Sequence, residues 1–235
     1  MNYATLSATI KAYCENDFPQ VVGSGGLTST EQIDTFIRQA EQRIYNSVQF
    51  PSIRKNVTGT TSLGNRYLSA PSDFLAVYSM AVIDPATGEY LFLLNKDVNF
   101  IREAFPSPAD TGKPTHYALF GPTTTNNIPP VITNELTFLL GPTPDNAYSI
   151  ELHYYYYPES ITTAASGQTW LGDNFDSVLL YGAMLEAATF MKSDAETLTN
   201  YQKRYDEALA LAKRLGDGLE RRDAYRSGQV RVPVN

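Results

Sequence analysis

The run Phe175–Met191 limits what this chain can become more than any other stretch. Only Asp176, Ser177, Glu186 and Thr189 within it suit water, so a helix there is apolar nearly all round. The segment that follows, to Leu215, carries a charge or an amide on nearly every turn. Spanning a bilayer takes about 20 apolar residues, whereas the unbroken apolar run is Val178–Leu185, ended by Glu186. The opening MNYATLSATIKAYCEND also lacks the charged start and long apolar centre of a secretory leader. The helix is therefore expected to be buried in protein, at the middle of its own domain or against neighbouring subunits.

Other helices can surround it. Leu6, Ile10 and Tyr13 recur at helical spacing, and the pattern stops by Asp17-Phe18-Pro19. After the flexible link GSGGLTS (23–29), Thr28 with Glu31 or Ser29 with Gln32 offers a capping box. Ile33, Phe36, Ile37, Ala40 and Ile44 then form one apolar face. On the last helix Leu198, Tyr201, Tyr205, Ala208, Ala212, Leu215 and Leu219 alternate spacings of three and four. That is a helix–helix seam in which alanines permit close approach. Leu179, Gly182, Ala183 and Ala187 on the apolar helix are the expected counterparts, in helix packing or at a subunit interface. Gly216 and Gly218 weaken the last helix before its end.

From Arg54 to Tyr157 the pattern changes to β. KNVTGTTSL, FLAVYSMAVID, YLFLL, HYALFG, ELTFLLGP and AYSIELHYYYY read as about six strands. LGNRYLSAPSD reads as turn, NKDVNFIREAF as a short helix stopped by Pro106 and Pro108, and TTTNNIPPVITN (123–134) as a polar hairpin tip. Near the end, GQVRVPV alternates valine with polar residues, and Pro233 leaves it an edge strand at best. The expected class is α+β, a bundle of N-terminal and C-terminal helices with an inserted, mostly antiparallel β domain. The boundaries fall at 1–53, 54–158, 159–220 and an extended basic tail at 221–235.

Charge and chemistry narrow the function. The net charge is −7, yet Lys203–Arg231 holds eight basic residues against five acidic ones, so the remainder carries about −10. Phosphate neutralisation dominates affinity for DNA, so the bulk of this chain will not bind it. The basic end either docks on an acidic partner or is a solvated helix face. Cys14, the single cysteine, excludes an internal disulfide and suits assembly in a reducing cytoplasm. It lies on the apolar stripe Tyr3, Leu6, Ile10 and Tyr13 and reads as a buried structural thiol.

No catalytic or ligand motif stands out. His116 and His153 lie on separate strands, and no Cys or His pair has metal-ligand spacing, so neither a metal nor a cofactor is expected. There is no G-x-S-x-G elbow and no phosphate-cradling loop. Asp173 with Asp176 reads as a chance pair in an acidic chain, general acid–base chemistry being the alternative. HYYYY (153–157) could stack sugars or bases; tyrosines alternating on a strand more often serve core and interface.

Taken in order, four segments carry a resemblance. They are LSAPSDFLAV (68–77), ELTFLLGPTPDNAYSIELHYYYYPE (135–159), TWLGDNFDSVLLYGAMLEAATFMKSD (169–194) and NYQKRYDEALALAKRL (200–215). This series resembles the adaptor proteins of short-tailed and related bacteriophages, which form the head-to-tail connector ring below the portal. The resemblance implies a structural virion protein of the neck, with no catalysis, assembled in the host bacterial cytoplasm. It implies a helical bundle with an inserted β domain, arranged as a ring matching the portal, usually dodecameric, that extends the DNA channel. The implied partners are the portal protein, a downstream tail or nozzle protein, further copies of the chain, and double-stranded DNA that passes without specific binding. An acidic wall, screened beyond about 8 Å at physiological salt, suits such passage. The family's C-terminal segment commonly reaches toward the portal, so Arg221, Arg222, Arg226, Val230, Arg231, Val232 and Val234 become the expected docking tail. The alternatives are another neck or tail component, or a receptor-binding tail module that binds carbohydrate on exposed coplanar tyrosines.

Overall fold

A computed structural model describes residues 1–20, 25–48, 50–124, 132–134 and 136–226. Helices α1 (Tyr3–Cys14) and α2 (Ser29–Ser47) come first, followed by a single 3-10 turn at Pro51–Ile53. Strands β1 (Arg54–Thr60), β2 (Tyr67–Ser69), β3 (Ala76–Ile83), β4 (Tyr90–Phe92) and β5 (Leu94–Asn95) lead to α3 (Val98–Ala104). Then come β6 (Thr111–Gly112), β7 (His116–Phe120), β8 (Thr123–Thr124), β9 (Ile132–Asn134), β10 (Thr137–Gly141), β11 (Thr143–Pro144) and β12 (Ser149–Tyr155). Helices α4 (Trp170–Asn174), α5 (Asp176–Phe190) and α6 (Ala195–Arg226) complete the order. The protein is thus mixed α+β. It divides into two compact units, Met1–Ile53 with Tyr157–Asn235, and Arg54–Tyr156.

In the helical unit, α5 answers the question its composition raises. It packs against α1, α2, α4 and α6, and nine of its residues, from Val178 to Ala188, are buried. A helix covered on so many sides by its own chain has little use for a polar face. It is the middle of its own domain.

The capping box on α2 is the Thr28–Glu31 pair: the Glu31 N–H donates to Thr28 Oγ1 and the Thr28 N–H to Glu31 Oε2. Gln32 has another task. It is buried, and its amide nitrogen donates to the carbonyls of Leu27 (3.0 Å), Pro19 (3.2 Å) and Phe18 (3.4 Å), fastening the α1–α2 link. The N-terminal stripe differs from expectation. Leu6 and Ile10 are buried, but Tyr13 is 56% exposed and Cys14 only half-buried. Directly after them the left-handed residue Glu15 (φ 48°) ends α1, and Phe18 takes a core position. Helix α6 also departs from the reading, continuing past Gly216 and Gly218 to Arg226. Each glycine costs about 1 kcal/mol relative to alanine, but good helix formers surround them. Arg221, Arg222 and Arg226 therefore stand on a helix where an extended tail was expected. Val230, Arg231, Val232 and Val234 lie outside the described residues. No described helix is long and apolar enough to cross a membrane.

The β unit is richer than one sheet of about six strands. Two four-stranded sheets form, ordered β1-β12-β3-β4 and β2-β10-β7-β5, with two-stranded pairs β6–β11 and β8–β9. Most pairings are antiparallel; β5–β7 and β6–β11 are parallel. Two misread stretches explain the difference. LGNRYLSAPSD contains β2, which pairs with β10, and YLFLL breaks at the buried Leu93 to place β4 in one sheet and β5 in the other. One core joins both sheets, with Met80, Val82, Ile150, Leu152 and Tyr154 packed with Tyr117, Phe138 and Leu140. Along β12 burial alternates strictly, as a strand with one core face requires. Ile101 of α3 covers Ala118 and Leu139 on the other face of the second sheet. The hairpin tip is present as β8–β9, and its residues 125–131 lie outside the described set.

Candidate functional site

The seam residues come together around Gly182. A Cβ at Gly182 would lie 3.1 Å from Ala40 Cβ on α2 and 3.3 Å from the Tyr205 ring on α6, so three helices close on one point. Leu179, Ala183, Ala187 and Ala212 are fully buried, and Tyr205 is 3% exposed. Tyr201 and Ala208 are half-buried. The fully buried members leave no surface for a neighbouring subunit; they hold the helical unit together. Above Tyr205 the Arg43 guanidinium sits 6.0 Å from the ring centroid and forms an ion pair with Glu186, the residue that interrupts the apolar run of α5. Burial pushes the Tyr205 phenol up from its ordinary pKa.

A second cluster gathers where the chain re-enters the helical unit. Tyr157 donates its hydroxyl to Asn46 Oδ1, and the Ile161 N–H donates to Glu41 Oε1 at 3.0 Å. Glu41 is 3% exposed and lines a cleft of about 270 Å³ with Arg38, Gln42, Tyr45, Tyr157 and Ser160. Burial raises its carboxyl above the ordinary glutamate value, against the opposing pull of the Ile161 N–H, the Ser160 hydroxyl and Arg38. Sequence reading passed over Glu41, although it falls four residues after Ile37 on the apolar face of α2. Because the folded state holds this proton more tightly than the unfolded chain, its stabilisation is complete below the usual glutamate pKa of about 4.3. It is lost as pH rises through the raised folded value. Glu41→Gln keeps an acceptor for Ile161 without the charge. The variant should melt with the wild type near pH 4 and above it at neutral pH. Thermal melts across that range check the sign; a gap that opens toward acid instead would contradict it.

The remaining candidates do not assemble into a reactive centre. His116 lies tilted beside Phe100 and Phe105, with ring centroids 5.6 and 6.2 Å away, while His153 meets Ser79 Oγ at 3.3 Å. Among the described residues no group of three or more His, Cys, Asp or Glu could hold a metal ion. Asp173 lies 3.8 Å from the Met1 ammonium, and Asp176 sits in the first turn of α5. In HYYYY, Tyr154 is core, and Tyr155 with Tyr78 flanks Arg54. The Tyr78 and Tyr155 rings cross at 80°, so they do not form a coplanar platform.

A protein-family model described as SU10 adaptor protein matches residues 1–233. The chain belongs to the SU10 adaptor family. No curated protein matches it. As a bacteriophage adaptor it is a structural protein, and membership implies a place in the virion neck with portal and tail partners in general. The family match spans both compact units of the adaptor, including the seam and Glu41.

Proposed function

We propose that this adaptor is one wedge of a ring that binds below the portal and extends the DNA channel toward the tail. The observation that carries this reading is the family match over nearly the whole chain. In this proposal the helical unit is a bundle, the β unit is an insertion in it, and the ring is a dodecamer assembled in the host cytoplasm. A downstream tail or nozzle protein meets its far side, and double-stranded DNA passes without specific contacts. The acidic surplus of the chain supports passage, since few phosphates would be neutralised.

The portal contact is assigned to the end of the chain, where Val230, Arg231, Val232 and Val234 alternate as a strand added to a partner's sheet requires. Each backbone hydrogen bond nets about 1 kcal/mol, while ordering each residue costs about 1–2 kcal/mol. One tail binds weakly; linked tails on one ring gain roughly 10²–10⁴ in avidity. Deleting residues 227–235 should leave the melt unchanged and abolish attachment to emptied heads. Undiminished attachment would move the portal contact elsewhere, to α1 and α2 first.

A further inference from the structure

We propose that the sheet β1-β12-β3-β4 continues from one copy of the chain to the next, with β4 of one pairing against β1 of its neighbour. This deepens the ring reading, on which it rests, by naming a lateral joint. β1 and β4 are the two edges of the sheet, and among the described residues neither has a strand on its outer side. Such an edge displays unpaired N–H and C=O groups, and proteins usually guard it with a proline, a bulge or a charge. β4 has none of these, and its Tyr90, Leu91 and Phe92 are all exposed. β1 keeps an unbroken register with β12 along its whole length. Its two cations are occupied within the copy, Lys55 by Asp73 and Arg54 over the Tyr78 ring.

The two edges fit each other in direction, hydrogen-bond phase and face. Every pairing in the sheet is antiparallel, so β1 and β4 run in opposite directions. A neighbour related by the small rotation of a ring keeps nearly the same orientation, and its β1 therefore meets β4 antiparallel. On β1, the Thr61 N–H donates to the Tyr148 carbonyl, a phase that bonds Val57 to β12 and turns the backbone groups of Asn56 and Thr58 outward. On β4, the Leu93 N–H donates to the Met80 carbonyl and the Asp84 N–H to that of Glu89. That phase bonds Leu91 to β3 and turns Tyr90 and Phe92 outward. Val57 and Leu91 share the core-facing side with their partners Leu152 and Val82. One register then satisfies all three demands. Tyr90 opposite Thr58 and Phe92 opposite Asn56 exchange backbone hydrogen bonds, and Leu91 meets Val57 between them. These two side chains, 39 and 38% exposed in the single copy, cover each other and extend the core. The second sheet offers no such match, since its edge β5 is two residues long and parallel to β7. Joining unlike edges is a heterologous contact, which closes into a ring when the rotation does.

Disulfide trapping in the full chain, with Cys14→Ser as background, tests the joint directly. Val57→Cys and Leu91→Cys are introduced together. Within one copy β1 and β4 stand three strand spacings apart, about 14 Å, and a disulfide needs Cα atoms within about 7 Å. Every 57–91 link is therefore between copies. In the proposed register the two Cα atoms face each other at about 4.5 Å, as in any antiparallel pair without hydrogen bonds between its members. Mild oxidation at high protein concentration should give a ladder of multimers whose peptide maps show 57–91 links. The yield should be about tenfold above a Val57→Cys/Tyr90→Cys control, in which position 90 lies on the opposite face. Adding Thr58→Pro or Tyr90→Pro deletes one outward N–H and should cut the 57–91 yield about tenfold. Circular dichroism melts identify a proline variant that has failed to fold, and the comparison of positions 91 and 90 decides the register without either. Absence of 57–91 links, equal yield from the control, a predominance of 91–91 links, or indifference to proline in a folded variant would overturn the proposal. No head is present in this experiment, so it can fail while attachment to the portal stands, and the reverse.

Discussion

Gly182→Leu should destabilise the helical unit by about 2 kcal/mol and lower its melting temperature by about 5–10 °C, while Gly182→Ala stays close to neutral. The two outcomes follow from opposed terms. Replacing a mid-helix glycine gains about 1 kcal/mol of helix propensity. Alanine adds one Cβ, 3.1 Å from Ala40 Cβ and 3.3 Å from the Tyr205 ring, a tight fit that small shifts of α2 and α6 absorb. Leucine adds three further carbons where those helices already touch. Overpacking of that kind costs about 1–3 kcal/mol, occasionally more, and the propensity gain offsets only part. Ala183, Ala187 and Ala212 nearby are fully buried, so the added side chain cannot simply turn out to solvent past them. Circular dichroism melts of both variants decide the matter. A Gly182→Leu protein with the wild-type melt would mean that the three helices do not close on this point.

How much of this could be read from the sequence depended on the range of the signal. The α2 face, the Thr28–Glu31 cap and the α5 core are local, and residues a few positions apart carry them. The N-terminal stripe was misassigned at Tyr13 and Cys14 because spacing shows which residues share a helix face but not how far along the helix that face is covered. The second sheet was missed for a different reason. Tyr67–Ser69 is a strand only because Thr137–Leu139 lies beside it, some seventy residues later. Likewise, YLFLL looks like one strand until Leu93 is seen to turn inward between two sheets. For the site, the small residues of the seam were legible as a pattern. Their partners Ala40 and Arg43 were not, since both belong to a helix more than one hundred residues earlier.

Tyr154→Ala should cost the β unit about 3–5 kcal/mol, as truncation of a buried aromatic does, whereas Tyr155→Ala should cost about 1 kcal/mol or less. The neighbours differ only in which way β12 turns them. Tyr154 is 1% exposed, its ring centroid 5.9 Å from Phe74, which in turn lies 5.4 Å from Phe138 of the opposing sheet. Its hydroxyl donates to Asp73 Oδ1 at 2.8 Å, while Lys55 Nζ meets Asp73 Oδ2 at 2.9 Å. Removing the ring opens a cavity between two sheets and takes a donor from Asp73. Tyr154→Phe separates the two effects: it keeps the ring and should lose about 1 kcal/mol for the hydrogen bond. Tyr155 points to the other face, half-buried, with its ring centroid 5.8 Å from the Arg54 guanidinium carbon and 6.0 Å from the Tyr78 ring centroid. A loss of several kcal/mol from domains stable by about 5–15 kcal/mol makes Tyr154→Ala visible in denaturant melts of the full chain. The ranking also bears on function. A tyrosine strand that served as a sugar platform would show the reverse order in polysaccharide binding, with Tyr155→Ala and Tyr78→Ala abolishing it while Tyr154→Phe leaves it whole. A wild-type melt for Tyr154→Ala would sink the assignment of this strand to the core.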